Sequence, residues 1–117
     1  ALFAAHHKLN NFMIIVDENG YQAMGRTKDI IELGLIQSKF ESFGFEAITI
    51  DGHNESDIDN AITQLWASDN KMPKALIAKT VKGKGVHFME NNNIWHYTRL
   101  NEKTYRQALL SIDESKE

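Results

Sequence analysis

Phe12-Met13-Ile14-Ile15-Val16, followed at once by Asp17-Glu18-Asn19-Gly20, decides how this chain is read. The apolar run is partly β-branched and has no polar alternation, the pattern of a strand buried on both faces of a parallel sheet. The polar residues that follow end the strand and send a loop off its carboxyl edge. Residues 45–50 alternate and read as a second strand, closed by Asp51-Gly52-His53-Asn54. Ala75-Leu76-Ile77-Ala78, set off by Pro73, reads as a third buried strand. Helical spacing fills the gaps. Leu35, Ile36, Phe40 and Phe43 form a stripe ended by Gly44 at a C′ position. Ile58, Ala61, Ile62, Leu65 and Trp66 form a longer one behind Asn54, a good N-cap residue. Strand, helix, strand, helix, strand implies right-handed crossovers and an α/β fold, a parallel sheet with helices on both faces.

Outward from that frame the signals weaken. Residues 1–9 read as the end of a helix, with Leu2, Ala5 and Leu9 at roughly helical spacing before Asn10-Asn11 breaks it. The chain opens without Met or a cap, so it is expected to be a piece of something longer and the fold incomplete. Gly25, Thr27 and Asp29 continue an irregular stretch, and residues 79–97 are Gly- and Asn-rich with no regular period. A last helix starts near Asn101 and is expected to turn Tyr105, Ala108, Leu109 and Ile112 inward. The charged tail, 113–117, is expected to fray.

Composition narrows the function classes. With 117 residues there is room for one domain, and 42% apolar against 25% charged residues excludes wholesale disorder. Lys+Arg total 13 and Asp+Glu 16, a net charge of -3, which argues against a general nucleic-acid binder. The absence of cysteine removes disulfides, thiolate zinc sites and a Cys nucleophile, and fits a cytoplasmic location. No apolar run is long enough to span a membrane, and no signal peptide opens the chain.

Ligands of parallel α/β sheets bind beyond the carboxyl ends of the strands. There the chain carries residues 17–25, 51–54 and 80–96. Asp17-Glu18-Asn19-Gly20 offers the hard oxygens that Mg²⁺ or Ca²⁺ prefers, or is simply a polar turn. A neutral Asn ligand suits a metal whose other ligand is a diphosphate. Lys79-Thr80-Val81-Lys82-Gly83-Lys84-Gly85 reads as an anion cradle or as a solvated basic turn; the P-loop spacing is absent. His96 follows Trp95, which would anchor the loop, and either hydrogen-bonds a phosphate and shuttles a proton or packs against an aromatic ring. His6 and His7 read as structural or exposed, His53 as hydrogen-bonded within its loop, and His87 as unassigned.

Taken together, "AAHHKLNNFMIIVDENGYQAMG", "FGFEAITIDGHN" and "KALIAKTVKGKGVHFMENNNIWH", in that order, resemble the thiamine-diphosphate-binding half of transketolases. The likeness is strongest to the N-terminal subunit of split transketolases. It implies the thiamine-diphosphate-binding fold, thiamine diphosphate and Mg²⁺ as cofactors, and transfer of a two-carbon ketol unit between sugar phosphates, as in the pentose phosphate pathway. It implies Asn19 as a cofactor-binding residue whose side-chain oxygen ligates Mg²⁺, and the main-chain carbonyl of Tyr21 as a further metal ligand. It implies that His96 is a catalytic residue that also binds the cofactor's phosphate and the sugar oxygens. A partner subunit or second protomer would bind the other end of the cofactor, making the active unit a dimer.

Two departures stand out. The family's Gly-Asp-Gly, whose Asp is another metal ligand, is absent from the chain, and Tyr97-Thr98-Arg99 replaces a smaller Gly-Ala-Pro after the histidine. The chain by itself is therefore expected to be inactive. Rival readings are a deoxyxylulose-phosphate synthase, a 2-oxo-acid dehydrogenase E1 subunit, or an inactive truncated remnant. The Trp-His pair after Met-Glu-Asn-Asn favours transketolase.

Overall fold

A computed structural model describes residues 1–114. They run as α1 (Leu2–His6), β1 (Met13–Glu18), β2 (Tyr21–Gln22), β3 (Gly25–Arg26), α2 (Thr27–Ile30), α3 (Ile36–Ser42), β4 (Glu46–Asp51), α4 (Glu55–Ala67), β5 (Lys74–Lys79), a 3₁₀ turn η1 (Asn93–His96) and α5 (Glu102–Glu114). The expected fraying of 113–117 falls partly on α5, and residues 115–117 lie outside the described ones. No helix among the described residues is long and apolar enough to cross a membrane. Two compact units form: Ala1–Glu18 with Leu33–Thr80, and Asn19–Glu32 with the chain from Val81 on.

The first unit holds the expected parallel sheet, in the order β1-β5-β4. Register places Ile14 and Ala47 on either side of Ala75, and Ile15 and Ile48 on either side of Leu76. Side chains alternate across the sheet, so one face carries Ile14, Val16, Ala47, Ala75 and Ile77, with Ala4 of α1, Ile36 and Phe40 of α3 and Phe45, just ahead of β4, packed on it. The other face carries Met13, Ile48, Ile50 and Leu76 under Ala61, Ile62 and Leu65 of α4. The helices thus cover both faces.

The strand buried on both faces is β5 rather than β1. Residues 74–77 are all buried, whereas Ile15 is 63% exposed. The cause is position: β1 is an edge strand of this sheet, and α4 packs over β4 and β5. Trp66, expected inward on α4, is likewise exposed, and the helix buries Ala61 and Leu65.

Local chemistry sets the helix ends. Asn54 accepts from the main-chain N–H groups of Ser56 and Asp57 at 3.0 and 3.2 Å, a cap worth about 1 kcal/mol. α3 ends in a Schellman motif: Gly44 N–H donates to Glu41 O, Phe45 N–H donates to Phe40 O, and Gly44 takes φ 87°. The accompanying apolar contact is Phe40 against Phe45, with ring centroids 5.3 Å apart.

At the start of β5 the sheet buries a cation. Lys74 is 1% exposed, and its Nζ donates to Glu46 Oε2 and to Asn70 Oδ1, each at 2.6 Å. Asn70 Nδ2 donates to the same Glu46 oxygen at 2.7 Å. Burial alone would push the Glu46 carboxyl up. Hydrogen bonds from Lys74, Asn70 and Ser68, with the Lys74 charge, outweigh it and hold the carboxyl below its ordinary value.

At the opposite end Gly52 lies against β5. Its N–H donates to Lys79 O at 2.8 Å. A Cβ there would stand 2.5 Å from Thr80 Cγ2 and 2.9 Å from Ala78 Cβ. The hydroxyl of Thr80 in turn donates to the carboxylate of Asp17. Glycine is required here for close approach.

The second unit contains elements that the sequence reading leaves irregular: the antiparallel pair β2–β3, joined through Ala23-Met24, and the single turn α2. Pairs of two residues are too short for any period to register. α5 begins where expected, in a reciprocal cap between Asn101 and Thr104. Its buried residues are Ala108 and Ser111, while Tyr105, Leu109 and Ile112 are exposed. Thr104, Gln107, Leu110 and Ser111 border the same groove as Phe88 and Trp95. The buried face is therefore turned toward the smaller residues.

The Glu46 cluster makes stability depend on pH. Because the folded Glu46 pKa is depressed, its contribution is complete above the unfolded value and is lost as pH falls through the folded one. Glu46→Gln is expected to cost about 1–3 kcal/mol at pH 7, and this deficit should shrink below about pH 4. Urea denaturation at the two pH values measures both; a deficit independent of pH would remove the charge from the account. Gly52→Ala is expected to destabilise by about 1–3 kcal/mol through overpacking, read as a lower urea midpoint.

Candidate functional site

Asn19, Tyr21 and His96, the residues that the resemblance marks for the cofactor and metal, all fall in the second unit, whereas Asp17, Glu18, Lys79 and Thr80 belong to the first. Asn19 follows β1 directly in the chain, and its Oδ1 accepts the Tyr21 main-chain N–H at 2.9 Å, an Asx-turn that orients the carboxamide. Gly20, with φ 74°, permits the reversal, and its carbonyl accepts Thr27 N–H at 2.9 Å to close the loop. Tyr21 opens β2, and its phenol donates to the main-chain oxygen of Asn91 at 2.7 Å.

His96 is the last residue of η1 and is exposed, its ring edge-on to Tyr97 with centroids 4.6 Å apart. Trp95 anchors the turn as expected. It is half-buried, its Nε1–H donates to Phe88 O at 3.0 Å, and its ring packs on Phe88. Asn92 caps η1 by accepting Ile94 N–H at 3.2 Å. β2 packs against η1. The structure therefore brings the Asn19–Tyr21 loop and the His96 turn into one compact unit.

The lysine- and glycine-rich stretch is organised differently from an anion cradle. Gly85 N–H donates to Glu90 Oε1 at 3.1 Å, Lys84 N–H to Val81 O, and Val86 N–H to Gly83 O. Gly83, with φ 74°, lies so close to Met89 that a Cβ would stand 2.6 Å from its carbonyl oxygen. The glycines serve turn geometry and close packing, and those amides are held within the loop. Lys84 remains exposed and can supply positive charge.

Asn91, at φ 52°, donates its N–H to Lys82 O at 2.9 Å, tying the lysine turn to the asparagine run. Asn93 donates from Nδ2 to Ala23 O at 3.1 Å, and its buried Oδ1 has no hydrogen-bond partner. The sequence reading missed the roles of Glu90, Asn91, Asn93 and the Tyr21 hydroxyl. The Glu90-Asn91-Asn92-Asn93 run was the available signal, since short amides cap and cross-link backbone in loops.

Of the other histidines, His6, His7 and His53 belong to the first unit and His87 to the second. His6 on α1 and His7 at its C-cap are exposed, and His7 packs against Phe3. His53 and His87 are exposed; the main-chain N–H of His53 donates to Asp51 Oδ1 at 2.9 Å.

A magnesium ion tests the donor set. The unit offers the Asn19 carboxamide oxygen and the Tyr21 carbonyl, neutral hard oxygens of the kind Mg²⁺ accepts beside an anionic ligand. An amide oxygen has two lone pairs, so the turn and a cation can share it. Among the described residues no group of three or more His, Asp or Glu side chains is placed to hold a metal. These two neutral oxygens could form only part of a metal's shell, and all of the negative charge would have to come from a ligand.

The family model described as "Transketolase, thiamine diphosphate binding domain" matches residues 1–111. A 6-deoxy-6-sulfo-D-fructose transketolase subunit from Clostridium sp. is 31% identical over 114 residues, which cover 97% of this chain and 41% of the relative. One of the apulose-4-phosphate transketolase subunits, from Phocaeicola vulgatus, is 30% identical, again over 97% of this chain and 40% of the relative. The chain thus spans about two fifths of the length of these relatives. The crystal structure of a transketolase from Campylobacter jejuni superposes with a TM-score of 0.84 at 29% identity, over 96% of this chain and 17% of that one. With the family's match running through all three strand-end loops, His96 included, the chain belongs to the thiamine-diphosphate-binding domain family of transketolases.

Proposed function

We propose that this chain supplies the metal- and diphosphate-facing part of a transketolase that moves a two-carbon ketol unit between sugar phosphates. The observation that carries the reading is the Asn19 turn, whose carboxamide oxygen is held by Tyr21 N–H in the unit that also carries His96. Family membership supports thiamine diphosphate as the cofactor. The chemistry that thiamine diphosphate would supply when bound is stabilisation of the negative charge that develops on carbon during ketol transfer.

The protein's part is to bind and orient. Asn19 Oδ1 and the Tyr21 carbonyl would hold Mg²⁺ and leave the negative charge to the diphosphate. His96, exposed at the end of η1, would donate a hydrogen bond to a phosphate oxygen or to a sugar hydroxyl, and would hold or pass a proton there. The remaining metal ligands would come from outside these residues, since the chain has no Gly-Asp-Gly. The two relatives named as subunits support a partner chain, so the active unit is proposed as a dimer working in the cytoplasm on sugar phosphates.

The test uses the complete holoenzyme that contains this chain. Asn19→Ala is expected to weaken Mg²⁺-dependent thiamine diphosphate binding by about 10–100-fold, measured by calorimetry. His96→Ala should lower kcat for ketol transfer by a factor of about 10² with an unchanged melting temperature. Wild-type cofactor affinity in the first variant removes Asn19 from the metal. Turnover of 2-oxo acids with no ketol transfer would replace the transketolase reading.

A further inference from the structure

Two hydrogen bonds join segments seventy residues apart at the place where the site is assembled. Tyr21 Oη donates to Asn91 O at 2.7 Å, and Asn93 Nδ2 donates to Ala23 O at 3.1 Å. The first begins on the residue whose N–H already holds the Asn19 carboxamide. The second starts from η1, and in a 3₁₀ turn residues three apart are eclipsed, so Asn93 and His96 share one face of it. Each bond links the β2–β3 segment to the residues just ahead of His96.

Stability alone does not explain this choice of residues. Asn93 Oδ1 is buried with no partner, which costs about 1–3 kcal/mol. An apolar residue at 93 would avoid that cost and would lose only the bond to Ala23. Asn91 takes φ 52°, a left-handed conformation that Asn tolerates better than most residues, and its carbonyl accepts from Tyr21. Buried polar groups left unpaired collect where geometry is held for function.

We propose that Tyr21 and Asn93 are positioning residues that clamp the Asn19 loop to the His96 turn, so that the direction of the imidazole is set by the loop that holds the metal. The clamp rests on the assignment of Asn19 and His96 under the proposed function. It adds to Tyr21, whose carbonyl is the metal ligand there, a separate role for its hydroxyl. Neither Tyr21 Oη nor the Asn93 amide touches a reacting atom; both act through His96.

The experiment is a double-mutant cycle in the complete holoenzyme, with Tyr21→Phe, Asn93→Leu and His96→Ala singly and the first two each combined with the third. Tyr21→Phe is expected to lower kcat/KM for ketol transfer roughly tenfold, with an unchanged melting temperature. Asn93→Leu should lower kcat/KM similarly while the melting temperature holds or rises, opposite signs that a merely structural role would not produce. Adding either change to His96→Ala should cause no further loss, because the residue acted upon is already gone. Calorimetry gives a readout without turnover: Tyr21→Phe should keep the Mg²⁺ dependence of thiamine diphosphate binding within about threefold of wild type, since the carbonyl ligand remains. Losses that multiply in the double variants, or wild-type kcat/KM in both single variants, overturn the clamp and leave the function standing. Unchanged kcat/KM in His96→Ala overturns both.

Discussion

A parallel strand with neighbours on both edges and helices on both faces must be apolar throughout and must satisfy both rows of backbone hydrogen bonds. Ala75-Leu76-Ile77 is the stretch of this chain that meets the demand, and the first unit is arranged around it. β1 and β4 pair to its two edges in matching register, so the carboxyl ends of all three strands finish together. Lys74 at its start is tolerable in the interior because Glu46 and Asn70 meet its ammonium. Gly52 at its end lets the β4 turn close onto Lys79. If β5 slipped by one residue, Leu76 would face α1 and α3, Ala75 and Ile77 would face α4, and Lys74 would lose its carboxylate.

The loop unit obeys a different constraint. Outside α5 it has little regular structure, so its backbone groups must find partners among side chains and turns. Asparagines do much of that: Asn19 closes an Asx-turn, Asn92 caps η1, Asn93 reaches Ala23 and Asn101 caps α5. Glu90 takes the Gly85 amide that a free anion would otherwise meet. Glycines that look like a phosphate cradle in sequence are used here to let Gly83 approach Met89 and to turn the chain. The basic character of the segment survives in its lysine side chains, and the loop's own fold holds the amides.

Legibility followed the length scale of the signal. The strands, the α4 cap at Asn54 and the Schellman end at Gly44 were visible because each depends on residues within one turn or one strand. The β2–β3 pair was not, since two-residue strands have no period. The exposed Ile15, Trp66 and Leu109 were misplaced for a common reason. Apolar spacing says which side of an element is apolar, but what covers that side is set by neighbours that come from elsewhere in the chain. Asn19, Tyr21 and His96 stand out as candidate site residues through the motifs that carry the family resemblance, while nothing in the sequence singles out the Tyr21 hydroxyl or the Asn93 amide.

The sequence by itself determined the α/β class, the order of the longer elements, the parallel sheet and the family, because these rest on local patterns and on motifs that survive without knowledge of contacts. Tertiary structure decided which strand is central, which face of α5 is buried, and what the glycine-rich loop does with its amides. It also decided that a tyrosine chosen in sequence for its carbonyl would bind with its hydroxyl to the segment bearing His96. That last outcome depends on pairings between residues seventy positions apart. Such pairings are fixed by packing and by the need to satisfy buried polar groups, and neither quantity is written in any single stretch of the chain.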